Sequence, residues 1–147
     1  MRALIVLAAL AMPTLAAAEP RNCLIDVTRL DFGLYSGLSQ TPTVAMGRLT
    51  VRCIPQVENA PLPTVRISTG NSGHYLDRVM TSGEAELHYN LYAEPTHRLV
   101  LGDGSAGTVT FPGGRLRGIW PIFGRIQPGQ RVPAGIYSDT LLIELEF

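Results

Sequence analysis

The sequence contains no lysine: all 12 basic side chains are arginine, set against 12 carboxylates. That balance leaves no formal net charge, and so no long-range attraction for nucleic acid or an anionic membrane. Cysteine is scarce. Two cysteines cannot supply a four-cysteine zinc site or a dense disulfide scaffold. Charged residues make up only 16% of the chain, and tryptophan occurs once. What is abundant is glycine (15), proline (11) and hydrophobic residues (46%). So much glycine and proline opposes a helical bundle, and so much hydrophobic content opposes a disordered chain. For 147 residues the expectation is one domain with a core of its own.

The first 18 residues have the layout of a secretory signal. Met1-Arg2 supplies a positive start, Ala3 to Met12 is wholly apolar, and Ala16-Ala17-Ala18 places small residues at a cleavage site. The apolar run is about half of the ~20 residues a membrane-spanning helix needs. Cleavage after Ala18 is predicted, which leaves residues 19–147 as the mature domain, with no membrane insertion. Export governs how the cysteines are read: outside the cytoplasm two cysteines in one domain usually pair. Free thiols or an intermolecular bridge are the rival readings. A Cys23–Cys53 bond would stabilise the fold by roughly 3.5 kcal/mol in the chain-entropy account.

The mature chain reads as β throughout, from period-two alternation bounded by turn residues. Leu49, Val51 and Cys53 point one way, Arg48, Thr50 and Arg52 the other. Cys23, Ile25 and Val27 form a shorter set. Val65 and Ile67 alternate with Arg66 and Ser68, and Leu87, Tyr89 and Leu91 with Glu86, His88 and Asn90. Leu99 to Leu101 and Thr108 to Phe111 flank a glycine-rich turn and predict a hairpin. Ile119 to Ile126 is mostly apolar with Pro121 inside it, which predicts an edge strand or a bulge. Leu141, Ile143, Leu145 and Phe147 share the face of a final strand. No helical stripe stands out, and dense Gly/Pro/Asn turns indicate an antiparallel sandwich or barrel.

Candidate chemistry is thin, and no enzyme, cofactor or metal site is expected. Gly102 to Gly107 matches G-x-G-x-x-G, but a strand-like run follows where a dinucleotide site needs a helix. Ser72 lies in Gly-Asn-Ser-Gly, which is not a nucleophile elbow. His74, His88 and His97 lie far apart in sequence. Asp103 and Asp139 suit turn or strand-end hydrogen bonding better than catalysis. Arg125 reads as an outward charge on an alternating strand, and Trp120 and Phe123 as core aromatics rather than an adhesive patch.

Several blocks occur in a telling order. They are Leu30-Asp31-Phe32-Gly33-Leu34-Tyr35, Gly47 to Cys53, Leu87-His88-Tyr89-Asn90-Leu91-Tyr92, Leu101-Gly102-Asp103-Gly104-Ser105, Phe123-Gly124-Arg125-Ile126 and Pro133 to Thr140. Together they resemble the spore coat protein U domain family, which includes subunits of Csu-type (archaic chaperone–usher) pili. Leu101 departs from the pattern, where a tryptophan is expected.

The resemblance implies an all-β, immunoglobulin-like antiparallel sandwich that lacks its final strand and carries one disulfide. A periplasmic chaperone, and then a neighbouring pilus subunit delivered through an usher, would fill the gap by β-strand addition. Leu141, Ile143, Leu145 and Phe147 would line the acceptor groove, and the Phe147 carboxylate would anchor a chaperone's basic residue. Glu19 to Asn22, about 13 Å of extended chain, carry no apolar alternation to donate onward. The expectation is therefore a strand-accepting subunit, at a tip, as a cap or outside a fibre. It would be found in the periplasm and then at the cell surface or outside the cell, with a role in adhesion or biofilm. The alternative is a self-contained secreted surface-coat or matrix protein that does not polymerise.

Overall fold

The computed structural model describes residues 22–54, 63–111 and 117–147. The predicted leader, residues 1–18, lies outside them, as do Glu19 to Arg21. Seven strands follow in chain order: β1 (Asn22–Val27), β2 (Thr43–Ile54), β3 (Thr64–Ile67), β4 (Arg78–Ser82), β5 (Ala85–Tyr92), β6 (Arg117–Ile126) and β7 (Ile143–Glu146). One turn of 3₁₀ helix, Gly70–Ser72, is the only helical element among the described residues, so no helix there is long and apolar enough to cross a membrane. The strands form a five-stranded sheet in the order β1-β2-β6-β5-β4 and a two-stranded sheet, β3-β7, all paired antiparallel. This is the expected all-β sandwich.

The alternation read from sequence is the alternation of burial. Leu49, Val51 and Val65 are fully buried, and Ile67, Leu87, Tyr89 and Leu91 nearly so. Their neighbours Arg48, Arg52, Glu86 and His88 are exposed. Each such inward side chain contributes about 1.5–3 kcal/mol by leaving water, and one slip of register would turn the whole set outward. The register of β1 on β2 places Cys23 directly opposite Cys53, and the two are bonded. The disulfide thus fixes the pairing of β1 with β2, its one neighbour among the described residues.

Two expectations are revised. Pro121 lies in a strand that is central in the sheet, yet at that point β6 has β2 alone beside it. The pairing with β5 runs only from Phe123 to Ile126. The missing donor of Pro121 therefore breaks no β5–β6 hydrogen bond. The run 99–111 is not a hairpin: Leu101 bridges Val109 in parallel, while Val100 bridges Tyr92 and Phe111 bridges Val65. Gly104, Ala106 and Gly107 all take left-handed φ. Three such residues coil the chain back on itself, so Val109 leaves in the direction in which Leu101 arrived. A two-residue hairpin turn would reverse it.

Candidate functional site

Among the described residues β7 has one neighbour. It pairs with β3 through Thr64↔Glu146, Val65↔Leu145, Arg66↔Glu144 and Ile67↔Ile143. On its other edge it meets no strand among the described residues. Beside that edge lies an open cavity of about 950 Å³. Protein interiors tolerate few voids larger than a water molecule, so this volume is a groove rather than a packing fault. Met80, Leu87, Tyr89 and Leu91 form its floor with Ile122 and Ile126, and Ile67, Leu141 and Ile143 form one wall. The opposite wall is the segment after β1, from Val27 to Gly37.

An anomaly of burial accompanies the groove on β1, whose Val27 lines it. Ile25 and Val27 sit opposite Val51 and Leu49, which are fully buried. Yet Ile25 and Val27 are 37% and 42% exposed. Residues with the inward parity of an edge strand stay wet when nothing covers them.

The far wall is held down by absent side chains. A Cβ on Gly124 would come within 2.7 Å of the Phe32 ring and 2.9 Å of Leu30. The glycine therefore lets Leu30 and Phe32 lie against the inner face of β6. The Phe32 ring meets Tyr89 edge to face at 5.8 Å. The hydroxyl of Tyr35 accepts from the Gln130 N–H at 2.8 Å, which ties this wall to the turn after β6.

The near wall is fixed by polar groups. Tyr89 is buried, and its hydroxyl donates to Asp139 Oδ2 at 2.7 Å. Burial first, then the hydrogen bond and the charge of Asp139, hold the Tyr89 phenol far above its ordinary pKa. Arg78 is fully buried, and among the described residues no carboxylate lies within ion-pair distance of it. Its guanidinium donates to the Ser68, Tyr75 and Leu101 carbonyls and to Asn90 Oδ1, at 2.7–3.3 Å. Burial pushes its pKa down, opposed mainly by Tyr89 and Asp139. Ser68 in turn holds the entry to β7: its N–H donates to the Leu142 carbonyl and its Oγ accepts from the Leu142 N–H, each at 2.9 Å.

Of the groove residues expected from sequence, the structure brings Leu141 and Ile143 to the cavity. It places Leu145 on the same face, half-buried opposite Val65 and outside the groove lining. Phe147 lies beyond the end of β7 and is 75% exposed. Trp120 stacks on Phe111 at 5.7 Å and packs against the core, as expected, whereas Phe123 is half-buried opposite Met46. His88 is exposed, with Nδ1 2.7 Å from Asp77 Oδ1. Arg78 is not marked in the sequence because Arg78–Ser82 lacks period-two alternation and does not read as a strand: Arg78, Val79 and Met80 are all buried. In the strand itself Arg78 shares a face with Met80.

The chain matches the family model of the Spore Coat Protein U domain over residues 9–144. No curated protein sequence matches it. Its fold is similar to that of a chain in the crystal structure of the CsuC–CsuE chaperone–tip adhesion subunit pre-assembly complex from archaic chaperone-usher Csu pili of Acinetobacter baumannii. The TM-score is 0.58 at 20% identity, over 86% of this chain and 40% of that one. The present chain thus spans less than half the length of that neighbour, and at this identity the likeness is one of fold. With a family match over nearly its whole length and a sandwich open beside the last strand, the chain belongs to the Spore Coat Protein U domain family.

Proposed function

We propose that the protein is a chaperone–usher pilus subunit that accepts a β-strand from another molecule along the free edge of β7. The observation that carries this reading is the apolar groove of about 950 Å³ beside a strand with a single neighbour among the described residues. Backbone groups on that edge supply hydrogen bonds, and the groove floor supplies pockets for alternate side chains. Four or five inserted apolar side chains would contribute roughly 6–15 kcal/mol before ordering costs, comparable to the whole stability of a domain. A likeness in fold to a chain from a chaperone–tip adhesion subunit complex suggests the occupants: a periplasmic chaperone first, then a neighbouring subunit assembled by an usher. In this reading Leu141 and Ile143 line the accepting groove, and Leu145 and Phe147, with the same parity, lie beyond it toward the chain end. The reading places the protein in the periplasm and then at the cell surface, with a role in adhesion or biofilm.

The test is to titrate the purified protein with a synthetic peptide of alternating valine and threonine and record the melting temperature. A saturable rise is expected, and Ile143→Asp should remove it by setting a charge in the groove wall. An unchanged melting temperature in the parent protein would instead favour a self-contained surface-coat or matrix sandwich.

A further inference from the structure

An apolar groove of this size, open to water, is under pressure to close, because rolling β7 across it would bury both walls. Among the described residues β7 is attached on one edge, through four residue pairs. The segment leading into it must therefore be held. Asp139 lies in that segment and in the groove wall. Its Oδ2 accepts from the hydroxyl of Tyr89, in the groove floor on β5, at 2.7 Å. Its Oδ1 accepts from the N–H of Asn71, in the helical turn after β3, at 2.9 Å. One carboxylate thus ties the approach of β7 to β5 and to the helical turn after β3. No basic side chain lies within ion-pair distance of it among the described residues, so it acts as a hydrogen-bond acceptor. Gly70 makes room for it: a Cβ there would overlap the Asp139 carboxylate. The preceding residue, Ser138, exchanges two backbone hydrogen bonds with Thr81 on β4, at 2.9 and 3.1 Å. The Ser68–Leu142 pair closes the other end of the segment.

We propose that Asp139 is a positioning residue that braces the entry to β7 against the groove floor and keeps the accepting edge presented while the groove is unfilled. The inference rests on the strand-accepting reading above. A preformed edge lowers the ordering that capture must pay for. Without the brace, the segment is free to swing and β7 to settle over the groove, so an incoming strand must first displace it. Once a strand is inserted, β7 is flanked on both sides and the brace matters little.

The experiment is stopped-flow capture of the alternating valine–threonine peptide by the parent protein, Asp139→Ala and Tyr89→Phe, with melting temperatures of the filled and unfilled forms. Asp139→Ala should capture about tenfold more slowly, the loss of roughly one charge-assisted hydrogen bond, and Tyr89→Phe should be slowed less. The filled complexes of all three should melt alike. Capture by both variants at the parent rate overturns the brace. Equal loss of stability in filled and unfilled forms also overturns it, since that is what a purely structural residue would give. If Asp139→Ala does not fold, Tyr89→Phe, which keeps the ring packing, decides by the same comparison. Failure of the parent protein to capture the peptide at all rejects the accepting edge itself, and the brace with it.

Discussion

At the scale of single residues, stability concentrates in polar groups that the hydrophobic pattern hides. Arg78 satisfies four buried or half-buried acceptors from β5 and three connecting segments. Arg78→Met should lower stability by about 3 kcal/mol or more, because those acceptors are left without donors. Arg78→Lys should rescue little, because a single ammonium cannot reproduce the planar fork. Urea midpoints measure both. Glu94 organises a loop instead. Its carboxylate accepts from the N–H groups of Leu99, Arg98 and Thr96, and these bonds, that from Leu99 foremost, hold its pKa below the ordinary value. A depressed carboxylate stabilises the fold above its unfolded pKa and loses that contribution as pH falls through the folded one. The loop 93–99 should therefore loosen below about pH 4, and Glu94→Gln should loosen it at neutral pH. Amide exchange of Arg98 and Leu99 reports both effects. Tyr89 runs the other way. Its raised pKa means stability that is intact below about pH 10 and falls as pH rises beyond that, which an alkaline melting series should show.

At the scale of elements, the groove exists because two segments are pinned apart. The far wall lies on β6 only where Gly124 leaves space for Leu30 and Phe32. Gly124→Ala should cost about 1–3 kcal/mol, the usual range for overpacking, and lift the Leu30–Phe32 segment off the sheet. A lower urea midpoint together with loss of the Phe32–Tyr89 ring contact by NMR would show it. β1 is held differently. It has one partner among the described residues and an exposed inward-parity face, and the Cys23–Cys53 bond supplies what a second neighbouring strand supplies elsewhere. Most of the strands were legible because period-two alternation is a local property, whereas β4 was not, because Arg78, Val79 and Met80 are buried in succession and show no alternation. The 99–111 run was not, because its parallel bridge depends on three left-handed residues acting together, one of them an alanine.

At the scale of the whole molecule, an open sheet edge beside exposed apolar surface is a template for pairing with another chain. The purified protein should therefore scatter light increasingly with concentration on mild heating. The alternating peptide should suppress this, gaining about 2.7 kcal/mol of apparent stability at a hundredfold excess over its dissociation constant. Scattering that the peptide leaves unchanged would point to association through another surface, such as the outer face of β2 with its exposed Val44 and Met46.

By itself the sequence determined the class of the fold, the inward faces of β2, β3 and β5 and the pairing of its two cysteines, because alternation is local and two cysteines allow one pair within a chain. It also placed a terminal strand, which the structure confines to Ile143–Glu146, with Leu141 ahead of it and Ile143 within it lining the groove. Only the tertiary structure decided that β7 has one neighbour among the described residues, that Leu30 and Phe32 build the opposite wall, and that Arg78 and Asp139 hold connecting segments onto the five-stranded sheet. Those facts are set by which segments meet across the sandwich, at sequence separations such as the 50 residues between Tyr89 and Asp139, and no local periodicity encodes them.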